Sequence, residues 1–379
     1  MNPLRIFAAP SRYVQGPGAL EALGSLLAEH GTRPVVIGDA FVLDLLGERV
    51  GSLLVEAGLS ATYRVLEGEI TAAAADALAA PGADVDTGDV DVVVGLGGGK
   101  SLDAAKAVAL RLDRPVVTVP TIASNDSPTS AAVAMYDDGH VMVGVDRLRT
   151  NPAAVVVDTE LVVAAPTAFL RAGVGDAIAK RYEAAGCFAG TGVTPLGTRP
   201  LLTGVAIADA CYATIRAHAV GGLQACEQGR VTPDLEALVE AVVLMSGLGF
   251  ENGGLSLAHS LTRGLMPARG AARAMHGEHV AWALLVQREA EGAAEEELID
   301  LTSFLREIGL PISLEELGMP AATEAEVDEI ARLTMTAPHL GNLARSISQT
   351  EIVAAIGRVE RRADAQVVAS TTASTATAP

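Results

Sequence analysis

The first 160 residues alternate short apolar runs, typical of buried strands, with Ala-rich runs, typical of helices. The runs that predict strands are 34–39, 61–68, 91–94, 114–121 and 153–162, and the run that predicts a helix is 71–80. Residues 131–145 predict a hairpin that turns at residues 137–139, and the polar residues 81–91 predict a turn-rich connection. This alternation predicts a mostly parallel, doubly wound sheet.

The character of the chain changes after Pro166. Helical periodicity then dominates residues 167–187, 201–220, 232–250 and 279–309. We therefore expect an α/β domain over residues 1–163 and an all-helical domain over residues 164–365. The last residues, 366–379, are small, polar and low in complexity, so we predict a disordered tail there.

The chain is strongly acidic, with a formal net charge of −19. An acidic surface repels nucleic acids and anionic membranes, so we expect neither as a partner. No uninterrupted apolar run approaches the roughly 20 residues that span a bilayer. The N-terminus lacks the basic and apolar segments of a signal peptide.

The cysteines are few and far apart: Cys187, Cys211 and Cys226. Their odd number and wide spacing argue against a disulfide framework and against a cysteine zinc site. Reduced, buried cysteines and the absence of a signal peptide together predict a cytoplasmic protein.

A glycine cluster, GLGGGKSLDAAKA at residues 95–107, joins a predicted strand to a predicted helix. Backbone N–H groups and the helix dipole at such a junction favour a phosphate. A Walker A loop would need glycine where Val94 stands, and the G-x-G-x-x-G fingerprint would need one at Lys100 or Leu102. The cluster is therefore a phosphate loop of another kind or a turn without a ligand.

Asp39 ends the predicted strand at residues 34–39. A carboxylate there can accept hydrogen bonds from ribose hydroxyls and would repel the 2′-phosphate of NADP, which favours NAD. The alternative is an ordinary aspartate in a turn.

Three residues in the helical half have side chains that could hold a divalent metal: Asp176, His259 and His276. One carboxylate and two imidazoles would leave a coordination position open, as catalytic zinc requires. Their spacing does not show that they converge, and a histidine in a helix often has a structural role.

Six stretches occur in the order and at the spacing of a known family: 13–20, 95–107, 119–131, 173–179, 247–261 and 275–281. They resemble the glycerol dehydrogenases of the iron-containing alcohol dehydrogenase superfamily, which is similar in fold to the dehydroquinate synthases. The resemblance extends over residues 5–360. It implies an N-terminal Rossmann-like doubly wound domain and a C-terminal all-helical domain.

The resemblance also implies how NAD is held. The GGGK loop of this family binds the pyrophosphate, which corresponds here to Gly97, Gly98, Gly99 and Lys100. The residues that match the adenosine side are Thr121 and Ser124, and those that match the nicotinamide side are Ser130, Ala132 and Tyr136.

The family's metal ligands correspond to Asp176, His259 and His276, and Asp126 matches an aspartate beside the substrate hydroxyls. The resemblance implies one divalent metal, Zn²⁺ before Fe²⁺, which lowers the pKa of the bound hydroxyl so that hydride can pass to NAD. The substrate would be glycerol, oxidised to dihydroxyacetone, or another small polyol. Family members form homo-oligomers from dimers to octamers.

The surroundings of these residues depart from the family pattern. Arg181 lies where an aromatic residue is typical, and His279 stands where a lysine is common. The segments before His276 and around His259 also differ from the usual ones. We hypothesise that the metal and NAD chemistry is retained while the preferred alcohol could be another diol or an amino alcohol.

Three alternatives stay open. A sugar-phosphate cyclase, a lyase that uses NAD transiently, needs several cations for its phosphorylated substrate. The lysines are few and none is expected near the motifs of the helical half, although Arg181, Arg263, Arg269 and Arg273 could serve. Glycerol-1-phosphate dehydrogenase is disfavoured for the same reason. A non-catalytic NAD-binding protein is the third alternative.

Overall fold

A computed structural model describes residues 4–81, 89–139 and 142–376, with side chains as far as residue 365. Its main sheet has six parallel strands in the order β1-β8-β5-β4-β2-β3, and β6 and β7 form a separate antiparallel pair. The strands are β1 Tyr13–Gly16, β2 Pro34–Asp39, β3 Thr62–Leu66, β4 Val92–Gly97, β5 Val116–Pro120, β6 Ala132–Tyr136, β7 Met142–Arg147 and β8 Ala154–Asp158.

Helices cover both faces of this sheet. They are α1 Leu23–Ala28, α2 Ala40–Glu56, α3 Ala72–Ala79, α4 Gly99–Leu112 and α5 Thr159–Ala164. Val36, Val94 and Val117 lie in register and pack into the core that contains α2, whereas Val35 and Val93 point to the opposite core, which contains α4. Strands buried on both faces need nearly continuous apolar runs, which is the pattern of the sequence.

The strand order reverses between β2 and β4. The chain passes from β2 outward to β3, returns across β2 to β4, and then continues to β5 on the far side. The loops after β2 and β4 therefore diverge and open a crevice at the carboxyl ends of the strands, where ligands of such sheets bind.

The described elements that follow α5 are helical. They are α6 Thr167–Ile178, α7 Lys180–Ala189, α8 Leu202–Glu227, α9 Pro233–Glu240, α10 Ser246–Gly253, α11 Leu257–Leu265, α12 His276–Glu291, α13 Glu295–Glu307, α14 Glu324–Thr334 and α15 Gln349–Ala376. A π-helical turn, Ala241–Met245, joins α9 to α10. The core of this half surrounds the fully buried Trp282.

The structure differs from the predicted elements in two places. The strand predicted over 153–162 ends at Asp158, because that side chain accepts a hydrogen bond from the Glu160 N–H and caps α5. The backbone of α15 is helical as far as Ala376, where composition predicts a disordered tail from residue 366.

Two other predictions lie partly outside the described residues. These are the connection at 81–91, of which 82–88 are not described, and the hairpin at 131–145, of which 140 and 141 are not described. Among the residues that are described, no helix has both the length and the hydropathy needed to cross a membrane.

Candidate active site

The glycine loop lies at the crevice between β2 and β4. Gly97 ends β4 with a φ of 137°, a conformation that favours glycine, and α4 begins at Gly99. A methyl group at Gly98 would lie 2.9 Å from Ile122 Cδ1, and one at Gly99 would lie 2.8 Å from Asn125 Nδ2. The backbone conformation at Gly97 therefore favours glycine, and side chains at Gly98 and Gly99 would require Ile122 and Asn125 to move. The N–H groups at the start of α4 suit an anion.

Asp39 lies across the crevice from this loop. Its Oδ1 accepts a hydrogen bond from the Val42 N–H at 2.9 Å, which caps α2, and its Oδ2 accepts one from Ser101 Oγ at 3.3 Å. Both interpretations of Asp39 thus have support, because the carboxylate caps a helix and also faces the loop that would hold a dinucleotide.

The segment after β5, residues 121–130, joins the glycine loop to the helical half. The Thr121 N–H donates to the Gly97 carbonyl at 3.1 Å. The buried Lys106 of α4 donates to the Ser127 and Ala132 carbonyls and pairs with Asp103 at 3.1 Å. This lysine fixes the segment that carries Thr121, Ser124 and Asp126.

The other predicted cofactor residues lie on the same side of the sheet. Lys100, in the first turn of α4, pairs with Glu69 at 2.7 Å. Ser130 is buried, and Ala132 and Tyr136 begin and end β6. β6 lies against α4, because the Ala134 N–H donates to Asp103 Oδ2 at 3.2 Å.

The three predicted metal ligands converge. Asp176 lies on α6, His259 on α11 and His276 at the start of α12, and one ligand atom from each lies within 4.8 Å of the others. The His259 Nε2 is 3.0 Å from Asp176 Oδ1, and the His276 Nε2 is 3.6 Å from the same oxygen.

Glycines allow the helices to approach this closely. A methyl group at Gly277 would overlap the Ala172 carbonyl oxygen, and one at Gly175 would overlap the Gly277 carbonyl oxygen. Gly173 likewise packs against the Ala123 carbonyl. The small residues beside Asp176 and His276 thus bring α6, α12 and the 121–130 segment together.

Glu183, which is not among the predicted site residues, orients His259. It is fully buried on α7, and its Oε2 lies 2.6 Å from His259 Nδ1. Its Oε1 accepts hydrogen bonds from the Ser256 N–H at 2.8 Å and the His259 N–H at 3.1 Å. Glu183 therefore fixes the ring with Nδ1 toward its own carboxylate and Nε2 toward Asp176, so Nε2 is the nitrogen that is placed to bind a metal.

Lys180, also not selected, lies at the centre of the cluster. Its Nζ is 3.0 Å from Asp176 Oδ1, 2.9 Å from His259 Nε2 and 3.1 Å from Asp126 Oδ2, and its side chain is 1% exposed. Burial disfavours its charged form, but Asp126 and Asp176 more than offset this, and the pKa of Lys180 is raised. The expectation that no lysine lies near the motifs of the helical half is therefore wrong.

A sequence signal for both residues was available. Asp176, Lys180 and Glu183 are spaced four and three positions apart, which places them on one helix face. An isolated helix with this pattern would present a solvated ion-pair ladder. Here His259 of α11 covers this face, because its ring contacts all three side chains.

Asp126 reaches the cluster from the 121–130 segment. Its Oδ2 accepts a hydrogen bond from Ser246 Oγ at 3.1 Å in addition to the contact with Lys180. Burial raises the pKa of Asp126, although Lys180 opposes this. The π-helical turn before Ser246 holds the same segment, because Thr129 Oγ1 donates to the Val243 carbonyl at 3.2 Å.

His279 does not join the cluster. Its Nε2 lies 2.7 Å from the Ala271 carbonyl oxygen, to which it donates a proton, and burial lowers the pKa of this histidine. It has a structural role in anchoring α12.

The residues present fit a divalent metal. A carboxylate and two imidazoles are a donor set that zinc and iron accept. Asp176 Oδ2 is buried and, among the side chains described, meets no hydrogen-bond partner, an arrangement that a cation would satisfy. His276 has 46% of its side chain exposed, so the site is open on that side.

Comparison with known proteins identifies related oxidoreductases. The family described as iron-containing alcohol dehydrogenase matches residues 10–159. The glycerol dehydrogenase of Thermotoga maritima is 38% identical over 85% of this chain and 87% of its own length. The glycolaldehyde reductase of Halobacterium salinarum is 36% identical over 86% of this chain and 88% of its own length.

A solved structure extends the likeness to the whole fold. The probable glycerol dehydrogenase of Sinorhizobium meliloti superposes with a TM-score of 0.89 at 34% identity, over 96% of this chain and all of that one. The predicted fold class is confirmed. The chain belongs to the iron-containing alcohol dehydrogenase family, among the relatives of the glycerol dehydrogenases, and is an alcohol oxidoreductase.

Proposed function

We propose that this enzyme oxidises a secondary hydroxyl of glycerol, or of a related small polyol, to the ketone with NAD as hydride acceptor and a divalent metal as catalyst. The observation that carries the proposal is the convergence of Asp176, His259 and His276 within 4.8 Å. Zinc is the preferred metal, because its tetrahedral geometry leaves one position for the substrate oxygen.

The side chains of the site would have separate roles in holding the metal and the substrate. The metal, when bound, supplies the charge that stabilises the developing alkoxide. Asp176, His259 and His276 would hold it, and Glu183 would keep the His259 ring oriented. Asp126, positioned by Ser246 at 3.1 Å, would accept a hydrogen bond from a neighbouring substrate hydroxyl.

The dinucleotide would lie along the crevice between β2 and β4. Bound NAD supplies the carbon that accepts hydride. Gly97, Gly98 and Gly99 would donate backbone hydrogen bonds to the pyrophosphate, with Lys100 beside them. Asp39 would accept from the ribose and disfavour NADP. Thr121, Ser124, Ser130, Ala132 and Tyr136 would line the remaining length.

The alcohol is the least constrained part of the proposal. The relatives named glycerol dehydrogenase and glycolaldehyde reductase are 38% and 36% identical to this chain, a difference too small to choose between them. Lys180 beside Asp126 alters the group that would meet the substrate. A kinetic panel of glycerol, other small diols and amino alcohols decides this point, and a clear preference for glycerol would contradict the hypothesis of a changed substrate.

The lyase alternative receives less support. Arg181 pairs with Asp209 at 3.1 Å and Arg269 pairs with Glu326 at 2.9 Å, so neither offers a free cation to a phosphate. The relatives named above are oxidoreductases.

Two further features belong to the proposal. The cysteines Cys187, Cys211 and Cys226 are free and buried, which supports a reducing, cytoplasmic location. We also propose a homo-oligomer, in keeping with the resemblance, and a size measurement by light scattering tests it.

The test is NADH absorbance at about pH 9 with glycerol, on metal-stripped protein with and without Zn²⁺. We expect zinc-dependent NADH production that Asp176→Asn abolishes. Asp209→Asn, a matched change at a side chain 54% exposed, should retain it. Bound metal and NAD without turnover of any alcohol in the panel would refute the proposed function.

A further inference from the structure

The ammonium group of Lys180 has a complete set of partners. Asp176 Oδ1, His259 Nε2 and Asp126 Oδ2 lie 2.9 to 3.1 Å from Nζ, and the two carboxylate oxygens accept its protons. The side chain is 1% exposed, and its charge balances carboxylates that are themselves buried. Lys180 therefore supplies the positive charge that this cluster needs in the metal-free protein.

Two of these three neighbours belong to residues that the proposed metal would bind, Asp176 and His259. A zinc ion lies about 2.0 to 2.2 Å from imidazole nitrogen and carboxylate oxygen. The ammonium nitrogen lies 3.0 Å from Asp176 Oδ1 and 2.9 Å from His259 Nε2, so it stands beside both groups at close range. A metal ion and the ammonium group would therefore compete for the negative charge of Asp176 and for the space beside His259 Nε2.

We propose that Lys180 is an internal cation that occupies the metal position in the metal-free enzyme and is displaced when the metal binds. The inference rests on the metal site of the proposed function. It adds that Lys180, four residues after Asp176 in the chain, competes with the metal ion for that site.

Other partners lie within reach of the displaced Lys180 ammonium group. Asp126 Oδ2 already lies 3.1 Å away on the side of the 121–130 segment, and the Phe250 ring centroid is 5.9 Å from Nζ. A small rotation of the side chain would keep the pairing with Asp126 and the contact with the aromatic face while it releases Asp176 and His259. Metal binding would then also fix Asp126 beside the substrate.

This arrangement predicts that removal of Lys180 lowers the thermal stability of the metal-free protein but raises its affinity for metal. In the metal-free protein Lys180 stabilises the buried carboxylates, so its removal lowers thermal stability. In the metal-bound protein it repels the metal, so its removal tightens metal binding. A merely structural lysine would give the first effect without the second.

The experiment measures Co²⁺ and Zn²⁺ dissociation constants by competition with a chromophoric chelator, on Lys180→Met and Lys180→Gln. Thermal unfolding of the same proteins is followed with and without metal. Arg362→Met is the control, because Arg362 of α15 is a mostly buried cation, 17% exposed, that pairs with the buried Glu289 at 2.6 Å. No enzymatic activity is needed for any of these measurements.

We expect the Lys180 variants to bind metal about 10- to 100-fold more tightly than the wild type, because a competing state has been removed, while their metal-free forms melt at lower temperature. The metal affinity of Arg362→Met should stay within about twofold. A variant that folds only in the presence of metal also supports the inference, because the metal then replaces the missing charge.

The inference is overturned if a folded Lys180→Gln binds metal no more tightly than the wild type. It is also overturned if metal does not restore the stability of Lys180→Met while Lys180→Gln binds metal like the wild type. Failure of the proposed function looks different. In that case the wild type and both Lys180 variants bind no metal at all, and Asp176→Asn changes nothing.

Discussion

Replacing Glu183 with glutamine tests how the protein prepares His259 for a metal. The carboxylate holds the Nδ1 proton of His259 at 2.6 Å and accepts two backbone N–H groups. In Glu183→Gln the side-chain oxygen can still accept from the backbone, but the amide N–H₂ group then faces Nδ1. An amide donor there favours the tautomer with the proton on Nε2, where the metal needs a lone pair.

The size of the effect follows from these contacts. Loss of an outer hydrogen bond to a ligating histidine weakens metal binding about 10- to 100-fold, or about 1.4 to 2.7 kcal/mol. The loss of global stability should be smaller, about 1 kcal/mol, because the amide keeps the volume and the two backbone hydrogen bonds.

The assay is chelator competition with Zn²⁺, together with thermal unfolding of the metal-free proteins. Glu360→Gln is the matched control, because Glu360 also accepts from a ring N–H, that of Trp282 at 3.0 Å, and from a backbone N–H, that of Leu314. Burial raises the pKa of Glu360, so its surroundings disfavour the ionised form. Equal metal affinity in Glu183→Gln and Glu360→Gln would refute the reasoning about the tautomer.

Three other outcomes follow from the same structure. Gly277→Ala should lower stability by about 1 to 3 kcal/mol because its methyl overlaps the Ala172 carbonyl, whereas Gly341→Ala, which meets no atom within 4 Å, should be nearly neutral in thermal unfolding. Asp39→Asn should keep the cap of α2 but raise the NADP to NAD ratio of kcat/KM about tenfold, and an unchanged ratio would assign Asp39 to capping alone. Zn²⁺ at 100 times its Kd should stabilise the metal-stripped wild type by about 2.7 kcal/mol in thermal unfolding, and an equal gain in Asp176→Asn would exclude that carboxylate as a ligand.

The sequence alone determined the local features of this protein. The apolar runs predicted strands β2, β4 and β5, because strands buried on both faces of a parallel sheet leave few positions for polar residues. β3 was also predicted, although it lies at the edge of the sheet and alternates partly buried and exposed positions. The glycine cluster between a strand and a helix predicted the loop at the crevice. The strand whose end was predicted furthest beyond its actual end, β8, stops where Asp158 caps the following helix, a signal that was present in the sequence.

The resemblance to a known family supplied what the local pattern could not. Periodicity gave no reason to join Asp176 with His259, 83 positions away, rather than with any other histidine. The resemblance of the surrounding motifs identified Asp176, His259 and His276 as one set, and the structure brings these three side chains together.

Only the tertiary structure decided the environment of those residues. The spacing of Asp176, Lys180 and Glu183 defines one helix face, yet whether that face is solvated depends on the segments packed over it. Glycines at 173, 175 and 277 let helices and the 121–130 segment approach until backbone meets backbone. That approach excludes water from the charged side chains of this face. Instead of a solvated ion-pair ladder, the face then holds a buried Lys180 that shares its partners with the metal site.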